Sequence, residues 1–202
     1  RRRVDTVTSA AKWLKSHFDY EFADQSMLRR ALTHRSAPGD NNERLEFLGD
    51  SVLNFVVAGM VFQRYQNANE GELSRLRASL VRDSTLAKIA ASIELGEHLI
   101  LGSGELKSGG FRRASILADA VEAILGSIFL DGGFDAADAA VRKLLSARAD
   151  SLPAVEELKD PKTRLQEQLG HLGQRPEFTQ CDTRHAKLAV ISARAAGNFA
   201  TI

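Results

Sequence analysis

Residues 43–62, ERLEFLGDSVLNFVVAGMVF, constrain the fold more than any other stretch of the chain. Their apolar side chains recur at helical spacing, and the pattern predicts a helix over 41–65. Beyond Asp50 this helix is apolar nearly all round, the mark of a central, buried element. Yet it opens with three carboxylates, Glu43, Glu46 and Asp50. At about 100° per residue, Glu46 lies roughly 60° from Glu43 and Asp50 within roughly 20° of it. All three therefore project from one face, with Leu45, Leu48 and Val52 on the other side.

A second segment repeats the pattern. In SILADAVEAILGSIFL, residues 115–130, the only ionisable groups are Asp119 and Glu122, and their i, i+3 spacing sets them side by side on a helix. Unpaired carboxylates on buried helices are costly, and they protonate unless something offsets the charge. A hard divalent cation does so, and Mg²⁺ takes carboxylate ligands while keeping water at its other positions. Acids in a first turn also suit the helix dipole, and Glu43 has arginines near it in sequence to pair with. Two acid sets, each on an otherwise apolar helix, favour the metal reading.

The rest of the chain reads as helix up to about residue 150, over 8–17, 25–33, 71–81, 83–94, 114–130 and 135–149, punctuated by Gly71, Asp83, Gly96, Gly109-Gly110 and Gly132-Gly133. A polar, Pro-containing stretch over 150–159 reads as a linker. DPKTRLQEQLG then starts a helix with Asp at the cap and Pro at the first position, and PEFTQCD, KLAVISAR and NFATI read as short strands. The expected architecture is an all-α domain over 1–149, a linker, and the beginning of an α+β unit over 160–202. A first residue of Arg reads as a fragment of a longer chain. The 202 residues suffice for one cored domain and a smaller unit, and 44% apolar with 26% charged residues is a globular composition. Cys181 is the single cysteine, so no internal disulfide can form, which fits a reducing compartment. The basic start lacks the apolar core of a secretory signal, and the longest unbroken apolar run, Phe55–Phe62, is short for a bilayer span. A net charge of +1 says nothing about nucleic acid; only the distribution of charge can.

NERLEFLGDSVL (42–53) resembles the signature stretch of the ribonuclease III family. ALTHRS (31–36), GELSRLRASLV (71–81), GELKSGGFRRASILADAVEAILGSIFLDGG (104–133) and DPKTRLQEQLG (160–170) resemble bacterial members in the same order, so the likeness covers most of residues 8–170. The resemblance implies an all-α endonuclease domain that forms a homodimer and cuts double-stranded RNA in the cytoplasm, without a membrane. It implies that Glu46, Asp50, Asp119 and Glu122 hold catalytic Mg²⁺, with Mn²⁺ as a substitute, and that Asp50 and Glu122 are catalytic. Glu43 and Glu70 match acids at the cleft edge, and Phe47 an aromatic that plugs a socket on the partner subunit. Products would carry 5′-phosphate, 3′-hydroxyl and a short 3′ overhang, from precursors such as rRNA. The tail resembles the start of a double-stranded RNA-binding domain, with Thr163, Gln166 and Glu167 at groove-contacting positions of its first helix. It departs from that pattern in stopping near the third strand without the second helix, and in lacking the usual Gly-Pro before the His of CDTRHAKL.

Other chemistry is poorly served. Cys181 has no evident base beside it, no nucleophile-elbow pattern occurs, and His34, which could serve as a base, reads more readily as a packing or capping residue. GELKSGGFRR is no Walker A loop, because Leu106 precedes Lys107-Ser108 where that motif has Gly. It reads as a solvated turn or as a wall of an RNA cleft, with Lys107 as a phosphate contact. Arg75, Arg77 and Arg82 track phosphates or solvate a helix face. Two further readings stand at this point: an all-α nucleotide pyrophosphohydrolase, and a non-catalytic binder of duplex RNA.

Overall fold

The computed structural model describes residues 2–149, 176–180, 189–195 and 198–201. The chain divides into two compact units, Arg1–Leu152 and Pro153–Ile202. In the first, α1 (Arg2–Phe18), α2 (Gln25–Ala31), α3 (Glu43–Arg64), α4 (Glu70–Val81), α5 (Asp83–Ser92), α6 (Ser103–Lys107) and α7 (Ala114–Ala149) follow one another, with 3₁₀ turns at Leu95–His98 and Gly110–Arg112.

Local sequence explains the boundaries. Asp24 caps α2 by accepting from the Ser26 amide at 2.8 Å. Asn69 and Glu72 form a reciprocal capping box at the head of α4. A single extended residue, Arg82 (φ −64°, ψ 145°), separates α4 from α5. α7 is two helices joined at a kink, where Gly133 takes φ 80° and ψ −175°. That is the break expected at Gly132-Gly133, since φ above zero is open chiefly to glycine. α6 was not expected; it lies in the stretch read as a Gly-rich loop.

α3 and α7 make the most extensive helix pair, with α5 also packed on α7. Leu53 and Val57 of α3, Leu86 and Ala90 of α5, and Ile124, Leu125 and Ile128 of α7 are all fully buried. Each such Leu or Ile stabilises the fold by about 1.5–3 kcal/mol relative to exposure. The two main helices touch backbone to backbone at one place. A Cβ on Gly49 would strike the Glu122 carbonyl, and one on Gly126 would strike the Leu45 carbonyl. This paired glycine crossing sets how near the acids of the two helices come.

The expectation that α3 is buried all round is corrected. Val52, Leu53, Val56, Val57 and Val61 face the core, but Phe47, Phe55 and Phe62 are 78%, 67% and 69% exposed. α3 is also the one described helix long and apolar enough to cross a membrane by length and composition. Its inward face packs on α7 and its first turn carries Glu43 and Glu46, which fits a core helix.

In the second unit, β1 (Pro176–Gln180), β2 (Ala189–Ala195) and β3 (Asn198–Thr201) form an antiparallel sheet in the order β1-β2-β3, with Phe178 opposite Ile191. The described residues of the three runs read as strands from their composition lie in these strands. The helix expected over 160–170 lies outside the described residues.

Candidate metal centre and substrate cleft

Glu46 sits one turn before Gly49 on α3, and Glu122 one turn before Gly126 on α7. The glycine crossing therefore draws their carboxylates together. One carboxylate oxygen from each of Glu46, Asp119 and Glu122 lies within 4.8 Å of the others, and all three residues are half-buried. Burial, then repulsion from Asp50, Asp119, Glu46 and Asp83, pushes the Glu122 carboxyl up to about 8. Glu46 is raised by burial and by Asp119 and Glu43. Asp119 is raised by burial and by Asp83, with His34 and Arg35 pulling the other way. Such a trio disfavours its own ionisation until a cation joins it.

The residues fit a hard divalent ion. The donor set is carboxylate oxygen only, which suits Mg²⁺ or Mn²⁺ rather than zinc. Asp50 stands apart from the converging three: it is exposed, and its Oδ1 accepts from Asn54 Nδ2 at 2.8 Å. It remains the largest charge acting on Glu122, so it borders the group.

A cavity of about 420 Å³ continues from this group, lined among others by His34, Arg35, Ser36, Glu43, Glu105, Arg113 and Ser115 as well as Glu46 and Asp119. His34 follows α2, is buried, and its Nδ1 lies 2.8 Å from Ser36 Oγ. Glu43 pairs with Arg35 at 3.4 Å. Glu70, the first residue of α4, accepts from Ser74 Oγ at 3.2 Å and does not line this cavity. Lys107 ends α6, exposed and likewise off the cavity wall. Phe47 stands open on the surface of α3. Thr163, Gln166 and Glu167 lie outside the described residues.

Sequence reasoning missed Asp83, whose charge acts on both Asp119 and Glu122 from the head of α5. It sits at no helical spacing from the other acids, so no local pattern could have found it. Arg35 and Arg113 stood inside the quoted stretches ALTHRS and GFRR, and only the fold sets them on one wall.

The first unit is all-helical and carries an oxygen-only acidic centre beside an open polar cleft. Residues 24–148 match the family model described as Ribonuclease-III-like, and the chain belongs to the ribonuclease III family. It is an endoribonuclease. A relative named Ribonuclease 3 from Nitrosococcus oceani is 54% identical over 165 residues, covering 81% of this chain and 71% of that one. Ribonuclease 3 of Methylococcus capsulatus is 61% identical over 146 residues, covering 72% and 64%. The solved nuclease domain of ribonuclease III from Campylobacter jejuni, described for flexibility in a region involved in its dimer formation, is 44% identical with a TM-score of 0.63, covering 67% of this chain and 96% of that one.

Proposed function

We propose that this chain cleaves double-stranded RNA in a Mg²⁺-dependent reaction, with Glu46, Asp119 and Glu122 holding the ion and Asp50 completing the set. The observation that carries this reading is the convergence of three half-buried carboxylates at the crossing of α3 and α7. A divalent ion held there supplies Lewis-acid chemistry, acidifying water and stabilising the leaving oxygen. The protein contributes a rigid backbone crossing that fixes the ligands, and a partly dehydrated floor that strengthens electrostatics. Asp50, more exposed and held by Asn54, is free to take a ligand role at the mouth of the group. Mn²⁺ is the expected substitute, since it shares the preference for oxygen ligands.

The products are proposed to carry 5′-phosphate and 3′-hydroxyl ends with a short 3′ overhang, made by two subunits each cutting one strand. The exposed Phe47, Phe55 and Phe62 on one side of α3 support a homodimer, because apolar side chains in such a row are rarely left to water. Glu43 is proposed to position substrate at the cleft edge, and Glu70 to do so from α4. Lys107 is proposed to meet phosphate at the end of α6. The segment from 160 is proposed to be a partial double-stranded RNA-binding domain, following a linker over 150–159 and using Thr163, Gln166 and Glu167 in the minor groove. Work on structured precursors such as rRNA in the cytoplasm completes the reading. Incubation with long duplex RNA, in Mg²⁺ or in chelator, followed by end-group analysis tests it. Cleavage in Mg²⁺ alone with 5′-phosphate ends is expected, and metal-independent cleavage or 3′-phosphate ends would overturn it.

A further inference from the structure

The cavity beside the acidic trio holds four carboxylates, Glu43, Glu46, Glu105 and Asp119, against two arginines, Arg35 and Arg113. A polyanion entering this space meets mostly like charge, and each arginine is already engaged. Arg35 has a loose partner in Glu43, at 3.4 Å, with both side chains at least half exposed. Arg113 has a close one, with NH1 2.8 Å from Glu105 Oε1. That second pair is lopsided: the Glu105 side chain is 19% exposed and the Arg113 side chain 51%. The carboxylate sits behind and the guanidinium faces out.

Glu105 is also fixed in place. Ser108 Oγ donates to its backbone carbonyl at 3.0 Å and lies 3.4 Å from its Oε1. Gly110 packs so closely on its side chain that a Cβ there would meet Glu105 Cγ at 2.6 Å. Gly109, at φ 78°, makes the turn that brings this about. An arginine has five donors in a planar fork, and one carboxylate held from behind does not use them all.

We propose that Arg113 is a phosphate-binding residue of the cleft and that Glu105 is its resident competitor: when RNA enters, the outward side of the guanidinium exchanges carboxylate for a backbone phosphate near the one being cut. Glu105 thereby acts as a positioning residue that holds Arg113 aimed into the cavity and lowers its affinity for stray anions. This rests on duplex RNA being the substrate.

The test is binding of a fluorescent RNA duplex to the full chain in chelator, across a series of KCl concentrations, for the wild type, Glu105→Gln, Arg113→Gln, Arg113→Lys and the double variant Glu105→Gln/Arg113→Gln. Glu105→Gln keeps an acceptor for Ser108 and removes the competing charge, so binding should tighten several-fold. Arg113→Gln should flatten the plot of log affinity against log salt by about 0.7–0.9, the value of one phosphate contact. Arg113→Lys should restore that slope, and Glu105→Gln should lose most of its effect in the Arg113→Gln background. If Glu105→Gln and Arg113→Gln both weaken binding with the wild-type slope, the pair only braces the loop and the proposal is overturned. A wild type that neither binds nor cuts duplex RNA takes the underlying reading down as well, whereas a binding wild type with unchanged variants overturns this inference alone.

Discussion

Two surfaces of α3 break the ordinary rule of burial in opposite directions. On one, Glu46 is half-buried and meets Asp119 and Glu122 of α7. On the other, Phe47, the very next residue, is 78% exposed and begins a row with Phe55 and Phe62. Charge lies where apolar side chains would be stabler, and apolar side chains lie where charge would be. Neither surface is explained by the fold of one chain. Each makes sense once something outside the chain is added, a cation for the first and a second copy for the second. Local conflict with folding preferences marks functional surface.

The contrast can be broken from the acidic side first. Glu122→Gln should reduce cleavage at saturating Mg²⁺ by about 10³-fold or more, as expected when several kcal/mol of charge stabilisation are lost. Duplex binding in chelator should survive, and full turnover by the variant would sink the metal role. Next comes the crossing that positions the trio. Gly49→Ala forces a methyl onto the Glu122 carbonyl, so α3 and α7 must part. Overpacking of this kind costs about 1–3 kcal/mol, readable as a lower urea midpoint, and cleavage should fall with it. A variant as stable and active as the wild type would show that the close crossing is not what sets the site.

The apolar side should respond differently. Phe47→Ala should weaken self-association by about 30-fold, the size of a hot-spot truncation near 2 kcal/mol. Sedimentation would then show more monomer while the isolated fold keeps its melting temperature. An unchanged dimer would remove Phe47 from the interface.

The remaining expected effect is in pH. Glu122 titrates at about 8 when folded against an ordinary 4.5. A raised carboxyl contributes stability that is fully present below its unfolded value and is lost as pH rises through its folded value. The metal-free protein should therefore lose stability between about pH 4.5 and about pH 8. Mg²⁺ should restore more of it at the alkaline end, because binding displaces the proton. Glu122→Gln should flatten the profile. A metal-free melting temperature that climbs over this range would contradict the charge arrangement.

Much of this was legible in the sequence because it is governed by local rules. The spacing of Asp119 and Glu122, the helical periodicity over 71–81 and the break at Gly132-Gly133 each depend on a few neighbouring residues. What was not legible depends on distance in space. Gly49 and Gly126 look like weak points in helices until the two are seen to face each other. Asp50 belongs with the acids by periodicity, yet it is exposed, and only Glu46, Asp119 and Glu122 bring a carboxylate oxygen within 4.8 Å of one another. The outward phenylalanines of α3 are indistinguishable by composition from the inward valines beside them, so the helix read as buried all round. Asp83 acts on the acids from the head of α5 and Arg113 lines the cleft from just before α7, placements that only the packing of α5 on α7 reveals.

The most direct measurement is anomalous diffraction from crystals of the chain soaked in Mn²⁺. A peak within ligand distance of Glu46, Asp119 and Glu122 is the expected result, absent in Glu122→Gln. A wild-type protein that cuts duplex RNA in Mn²⁺ while its crystals show no ion at these three carboxylates would contradict the account.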